Sequence, residues 1–258
     1  WSLFFTKHNI DIWFTPMEQS NDIAIYRAAM EKKNGVTIQC QRSVYYSPAL
    51  SYGFNPAHIN FTWSDFQKTH LLENGNNSLS YLIVGHSFGA SPNWTRNIDN
   101  IVSSKINSQK KTFKVVIFDN ICGNNLPMTK KQMKSFYDKL IEWALKNENV
   151  VLFIKAKKKE SFTHELITMH NFHKLESEGR LHILNNLGYI LPITVSNSMD
   201  LSIGVNISSA ALEANIAGKR SLHYYPGIDF YHPLTKKCLN SLIFTEPETI
   251  ISAVEDIY

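Results

Sequence analysis

Residues 200–220, DLSIGVNISSAALEANIAGKR, combine a strand, a turn and a helix in one short span. The apolar run LSIGV (201–205) has the length of a buried strand, and either Ser208 or Ser209 is suited to cap the helix that follows. Gly218 is the residue type that ends a helix in the left-handed conformation. Free backbone N–H groups at such a helix start attract phosphate. The segment therefore predicts a nucleotide-binding βαβ unit.

Glu213 stands one turn inside this predicted helix. It lies four residues after Ser209 rather than the three of a capping box, so its carboxylate is available to a ligand. A purely structural role fits these residues as well, because serine caps helices generally and the helix dipole favours an acidic side chain near the start. Both interpretations stay open at the level of sequence.

The second half of the chain repeats the same rhythm from about residue 112 onward. Short β-rich runs alternate with amphipathic helical patterns, which is typical of a parallel sheet covered by helices on both faces. The predicted strands are 115–118, 150–154, 181–184, 201–205 and 221–225, and the predicted helices lie near 129–147 and 160–174. A last helix is expected to open with Thr245 as its cap and Glu248 as its N3 partner.

The first 95 residues are also α/β, but they offer fewer strands. We predict strands near 10–14, 36–39, 58–62 and 81–84, and helices near 20–33 and 65–74. Four strands are few for a Rossmann-like domain and the chain starts abruptly at Trp1, so we expect a truncated N-terminal domain. The stretch 96–111, which is rich in Asn, Ser and Lys, is the best linker candidate. The predicted parts are 1–95, the linker 96–111, and a nucleotide-binding domain over 112–258.

Composition limits the partners of the chain. No stretch approaches the roughly 18 to 20 apolar residues that span a bilayer, so we expect a soluble protein or one peripheral to a membrane. The formal net charge is only +4, yet lysines cluster at 130–134 and 155–159. Such local clusters favour an anionic ligand or a membrane surface over nucleic acid.

The three cysteines, Cys40, Cys122 and Cys238, are odd in number and widely spaced. They form no CxxC pair, so the sequence predicts neither a disulfide framework nor a zinc site. A reducing compartment, and hence the cytoplasm, is the expectation.

Three segments carry a resemblance to a known family. They are SSAALEANIAGKRSLHYY (208–225), VVLFIKAKKK (150–159) and HNIDIWFTPMEQSNDIAIYRAAMEKKNGVTIQCQRS (8–43). They resemble the GT-B-fold glycosyltransferases of bacterial capsule and lipopolysaccharide biosynthesis, which have two Rossmann-like domains. The resemblance implies that the N-terminal domain faces the acceptor and the C-terminal domain binds the nucleotide-sugar donor.

The same resemblance implies roles for individual residues. Ser208 and Ser209 fall where the family contacts the donor phosphates, and Glu213 falls where a helical glutamate holds the ribose. Lys155 falls at the strand end that faces the donor phosphate. The lysine run also fits an ordinary solvated surface.

Strand ends supply an independent physical argument for a site. Asp119, Lys155 and Ser208 each follow a predicted strand, and ligands of open α/β sheets gather beyond the carboxyl ends of strands. Lys155, Lys157 and the helix N-terminus could stabilise a diphosphate leaving group without a metal. No Asp-x-Asp pair occurs in the chain, so we expect neither a metal nor another cofactor. Asp119 also fits a simple loop cap.

The catalytic base is expected from the N-terminal domain. Glu18 and Asp22 follow the first predicted strand, and Arg42 and Ser43 follow the second, at the same kind of edge. The stretch from Ser20 onward also fits an ordinary helix start.

A rival motif is the segment Gly85-His86-Ser87-Phe88-Gly89, which matches the G-x-S-x-G nucleophile elbow of α/β-hydrolases. In that alternative Ser87 is the nucleophile of a serine esterase. No His-Gly-type oxyanion loop precedes it, and the residues that follow lack a clear helical stripe. The triad partners in chain order would be Asp200 or Asp229, then His232 or His223.

The sequence thus predicts a metal-independent glycosyltransferase with two Rossmann-like domains of parallel strands. Its partners would be a nucleotide-sugar donor and a glycan or lipid-linked acceptor, with peripheral contact at the inner face of the membrane. A non-catalytic sugar-nucleotide binding module is a further alternative. Nucleotide-sugar epimerases share the fold, but the acidic and histidine residues that they need around the sugar cannot be assembled from the sequence.

Overall fold

The structure, a computed structural model, places two compact units along the chain. They are Trp1–Ala90 and Ser91–Tyr258, here called unit 1 and unit 2. The residues described are 1–16, 22–41, 56–86, 104, 112–123, 126–156, 170–184, 191–227 and 232–258. The expected linker 96–111 lies outside them except for residue 104, so its role stays a prediction.

Among its described residues, unit 1 has a sheet of four parallel strands in sequential order, β1-β2-β3-β4. The strands are β1 Ile12–Thr15, β2 Val36–Cys40, β3 Ile59–Thr62 and β4 Ser80–Ile83. The helices are α1 Ser2–Lys7, α2 Ile23–Glu31 and α3 Asp65–Glu73. The four predicted strands and two predicted helices are confirmed within a few residues, whereas α1 was not predicted.

The two faces of the unit 1 sheet differ in polarity. One face buries polar side chains on its central strands, namely Thr37, Gln39, Asn60 and Thr62. The other face is apolar and more open, with Ile12 61% and Phe14 53% exposed on β1. In a sheet whose parallel strands follow chain order, right-handed crossovers place their connections on one face.

The part of unit 2 that the structure describes has six parallel strands in the order β10-β9-β8-β5-β6-β7. The strands are β5 Phe113–Phe118, β6 Val150–Lys155, β7 Leu181–Ile183, β8 Leu201–Val205, β9 Ser221–Tyr224 and β10 Ile243–Phe244. The helices are α4 Lys130–Lys146, α5 His170–Ser177, α6 Pro192–Ser196, α7 Ser209–Ile216, α8 Pro233–Cys238 and α9 Pro247–Ile257. This is the strand order of a doubly wound dinucleotide-binding sheet, which reverses direction between β5 and β8.

Apolar side chains cover both faces of the unit 2 sheet, as expected for buried parallel strands. On one face, the strands pack against α4, α5 and α9, and the rings of Phe136 and Tyr224 stack with centroids 4.7 Å apart. On the other face Val116, Phe118 and Phe153 pack with residues near or within α6 and α7. The helices α6 and α8 and the short β10 were not predicted.

The helix starts show where sequence patterns were sufficient. Thr129 and Gln132 form the predicted capping box of α4. The expected Thr245 cap of α9 is wrong, because the N-cap is Glu246 and Pro247 occupies the first turn. Proline favours that place since its φ is already helical and its missing N–H would have no helical partner there. In the part of the chain that the structure describes, no helix is long and apolar enough to cross a membrane.

Candidate functional site

The turn between β8 and α7 presents a helix N-terminus at the carboxyl edge of the unit 2 sheet. Ser208 is the N-cap residue of α7, and its Oγ accepts a hydrogen bond of 3.4 Å from the backbone N–H of Ala211. Ser209 is the first residue of the helix. Asn206 turns the chain with a positive φ of 62°, a conformation that asparagine adopts more readily than most residues.

Gly204 allows α7 to approach the sheet closely. A Cβ atom at this position would lie 2.7 Å from Nδ1 of His223 and 2.9 Å from both Oγ of Ser208 and Cβ of Ala211. These three contacts come from β9, the turn and the helix. A side chain at residue 204 would therefore displace the helix start from the strand end.

The strand register brings the predicted edge residues together. Phe118, the last residue of β5, pairs with Lys155 on one side and with Gly204 on the other. Asp119 directly follows Phe118, and Ser208 follows Gly204 by four residues. Asp119, Lys155 and Ser208 thus share the carboxyl edge, at the point where the strand order reverses. This is the position at which open α/β sheets bind ligands.

Glu213 and Lys155 are close enough in this region for the charge of each to affect the pKa of the other. Lys155 lies on the same face of the sheet as Val151 and Phe153, which is the face that α7 covers. Glu213 is only 8% exposed. Burial raises the pKa of Glu213 to about 7, and the charge of Lys155 acts against that rise. Burial likewise lowers the pKa of Lys155, and Glu213 opposes this change.

Asp119 is held within the fold. It is 5% exposed, and the hydroxyl of Tyr137 in α4 donates to its Oδ1 over 3.4 Å. Burial, together with the charge of Asp119, raises the pKa of Tyr137. The tyrosine therefore remains a protonated donor, and it fixes the orientation of the carboxylate at the end of β5.

Of the residues of unit 1 that are expected to form the catalytic side, the structure describes Asp22. Glu18, Arg42 and Ser43 lie outside the described residues, as does Lys157 of the donor side. Asp22 is exposed and is the N-cap residue of α2, where its side chain makes no capping hydrogen bond. The roles assigned to these residues stay predictions.

The described residues test one pairing of the hydrolase alternative, Asp200 with His223, and contradict it. Its strand is β4 of unit 1, and the proposed nucleophile Ser87 and Asp229 lie outside the described residues. Asp200 precedes β8 at the amino edge of the unit 2 sheet, where it accepts a 2.7 Å hydrogen bond from the Lys114 N–H. His223 lies near the carboxyl end of β9, so Asp200 and His223 occupy opposite ends of their strands.

His223 is the residue whose place the sequence did not reveal. It is 1% exposed and lies against Gly204 beneath the turn. A signal existed in the alternation of β9, because Ser221 and His223 share one face of a strand that is buried throughout. Across the described ranges, no group of three or more His, Cys, Asp or Glu residues is arranged to hold a metal ion.

Comparison with known proteins yields matches only among solved structures. No protein-family model and no curated protein matches the sequence. A candidate UDP-N-acetylglucosamine 2-epimerase from Listeria monocytogenes has a TM-score of 0.69 at 14% identity, over 99% of this chain and 67% of that chain. The UDP-GlcNAc 2-epimerase from Methanocaldococcus jannaschii has a TM-score of 0.67 at 14% identity, over 98% and 72%. Anabaena HepE, in complex with UDP, has 0.59 at 14% identity, over 98% and 71%.

The fold is GT-B-like. At these identities the likeness shows the fold alone, and it confirms the predicted α/β architecture with Rossmann-like units of parallel strands. Two of the three structures are named as 2-epimerases, whereas the sequence resemblance implies a glycosyltransferase.

Proposed function

We propose that the protein binds a nucleoside diphosphate sugar at the carboxyl edge of the unit 2 sheet and acts on the sugar. The observation that carries this proposal is the strand-order reversal between β5 and β8. That reversal coincides with the capped N-terminus of α7 and with the pair Lys155 and Glu213. The fold neighbours support it, because structures among them contain UDP or UDP-GlcNAc.

Each residue of the edge has a chemical task in this proposal. The first N–H groups of α7, with the hydroxyls of Ser208 and Ser209, contact the diphosphate. Lys155, and Lys157 beyond it, supply positive charge to the same group. The carboxylate of Glu213 accepts hydrogen bonds from the ribose hydroxyls. Asp119 lies at the centre of the edge, where it would border the bound diphosphate.

Glycosyl transfer is the first candidate reaction. The bond between the anomeric carbon and the diphosphate breaks, and an acceptor hydroxyl forms the new bond after losing its proton to a base. We assign the base to Glu18 or Asp22. The charge that develops on the diphosphate is stabilised by Lys155 and the helix N-terminus, without a metal. The acceptor would be a glycan or lipid-linked sugar of the cell surface, made at the cytoplasmic face of the membrane.

Epimerisation at C2 of the sugar is the second candidate, and the named fold neighbours favour it. The two reactions differ in their products from one substrate. Incubation with UDP-GlcNAc alone, followed by product analysis, gives a C2-inverted UDP-sugar if the protein is an epimerase. Glycosyl transfer requires an added acceptor and releases UDP.

A thermal-shift screen with UDP, GDP and CMP and their sugars tests the binding site. A ligand present at 100 times its dissociation constant adds about 2.7 kcal/mol to the free energy of unfolding. Glu213→Ala should abolish the shift while Glu255→Ala, an exposed helical glutamate in α9, should preserve it. The absence of a shift with every nucleotide would contradict the proposal.

A further inference from the structure

His223 makes one hydrogen bond from its ring, and that bond reaches the β8–α7 turn. Its Nδ1 lies 3.3 Å from the carbonyl oxygen of Asn206. A carbonyl oxygen can only accept, so Nδ1 must carry the proton and donate it. The neutral imidazole therefore has its proton on Nδ1, and Nε2 is left as an acceptor.

The surroundings of the ring favour this neutral form. His223 is 1% exposed, and burial lowers the pKa of its imidazole to about 4, against the opposing effect of the bond to Asn206. Its Nε2 has no hydrogen-bond partner among the residues that the structure describes.

The backbone of Asn206 is bonded to β9 through both its N–H and its carbonyl group. Its N–H donates to the carbonyl of Tyr224 over 2.9 Å, while its own carbonyl receives Nδ1–H of His223. Both bonds join Asn206 to β9, and they engage both backbone polar groups of a residue held at positive φ. A Cβ atom at Gly204 would lie 2.7 Å from Nδ1 of His223 and 2.9 Å from Oγ of Ser208, so both groups lie on the side of Gly204 that a side chain would occupy.

We propose that His223 is a positioning residue, whose ring holds residues 206–208 in the conformation in which the N-terminus of α7 receives the diphosphate. The proposal rests on the proposed nucleotide site, but its structural part can be tested without nucleotide. His223 itself is 1% exposed, and its ring bonds to the backbone of the turn.

Two substitutions separate donation from packing. His223→Asn places an amide N–H close to the position of Nδ1, whereas His223→Leu fills the space without a donor. We expect UDP affinity to fall about tenfold in the leucine variant, the size of one lost hydrogen bond, and to stay within about threefold of wild type in the asparagine variant. Leu222→Ala, on the opposite face of the same strand, should lower stability without changing UDP affinity.

Two nucleotide-free measurements accompany the titrations. Nitrogen NMR of the wild-type ring should show Nδ1 protonated and Nε2 unprotonated at neutral pH. Amide hydrogen exchange over 206–211 should accelerate in His223→Leu but not in His223→Asn. A protonated Nε2, or unchanged exchange in the leucine variant, overturns the positioning role even if UDP binds. Normal ring protonation and exchange together with no UDP binding by wild type would instead overturn the proposed nucleotide site alone.

Discussion

The two sheets of this chain differ in strand order and in the chemistry of their buried layers. In unit 1 the four strands follow chain order, and in unit 2 the order reverses between β5 and β8. At a reversal the connections that follow two neighbouring strands leave on opposite faces of the sheet, which makes a crevice for a ligand that a sequential order does not make. The comparison therefore favours unit 2 for the proposed nucleotide site, through its topology as well as its residues.

The buried histidines show the same contrast at atomic scale. In unit 1, Nδ1 of His58 accepts from the Thr37 N–H over 3.0 Å, so its proton is on Nε2, 3.4 Å from Glu31. In unit 2, Nδ1 of His223 is the donor. His58 ties β2 to the start of β3, whereas His223 supports a strand end. His58 thus links two strands of a sheet, whereas His223 bonds to a turn.

The largest effect should come from the apolar core of unit 2. Ile203→Ala in the fully buried β8 is expected to cost about 2–5 kcal/mol through lost burial and the resulting cavity. Ile12→Ala on the open face of unit 1, where the side chain is 61% exposed, should cost under about 1 kcal/mol. Urea denaturation of both variants measures the difference. Equal costs would mean that the open face of the unit 1 sheet is covered in solution.

The pH dependence of stability should reveal two opposing groups in unit 2. The pKa of Glu213 rises from 4.5 to about 7, so its contribution is present below pH 4.5 and is lost as the pH rises through 7. The pKa of His223 falls from 6.5 to about 4, so its contribution is present above pH 6.5 and is lost as the pH falls through 4. Each contribution is about 3 kcal/mol, and in wild type they nearly cancel.

Single substitutions should expose each slope. Between pH 7 and pH 4.5, Glu213→Gln should lose stability on acidification, and His223→Asn should gain it. Urea midpoints measured at intervals of pH provide the readout. If stability had the same pH slope in both variants, Glu213 and His223 would not have opposite effects on stability between pH 4.5 and pH 7.

A smaller effect is expected from the polar layer of unit 1. Oγ1 of Thr37 accepts from the His58 N–H over 3.1 Å and lies 2.7 Å from His58 Nδ1. Thr37→Val leaves these buried groups short of a partner and should cost about 1–3 kcal/mol. Thr249→Val, which removes a hydroxyl from the exposed surface of α9, is the matched control and should change stability by about 0.5 kcal/mol or less. If Thr37→Val left stability unchanged, the buried hydrogen bonds of Thr37 would not contribute to the stability of unit 1.

The smallest effects on stability are expected at two helix caps, which should differ in their effect on UDP binding. Ser208→Ala in unit 2 and Ser64→Ala in unit 1 each remove an N-cap acceptor and should cost about 1 kcal/mol. Only Ser208→Ala should also weaken UDP binding, as measured by titration calorimetry. Equal UDP affinity in both variants would limit Ser208 to its capping role.

Much of the fold could be predicted because its signals are local. The strand of 201–205 was predicted with its observed bounds, and the capping box at Thr129 was predicted from spacing alone. The convergence of Asp119, Lys155 and Ser208 followed from the rule that parallel strands end at one edge. Regular periodicity and a capping pattern suffice for inferences of this kind.

What could not be predicted depends on contacts between distant residues. Nothing near His223 in the sequence shows that its ring lies behind Gly204 or that it bonds to Asn206. The short helices α6 and α8 contain too few residues for a periodic pattern. Thr245 matched a cap motif, but Pro247 moved the start of the helix by one residue. The place of His223 beside the proposed site was therefore harder to predict than the strands and the longer helices.

Hydrogen exchange with and without saturating UDP tests the central claim most directly. If the crevice between β5 and β8 binds nucleotide, UDP should slow amide exchange across residues 206–213, at the turn and the first turns of α7. Slowing that is absent from 206–213 while UDP binds elsewhere in the chain would contradict the account.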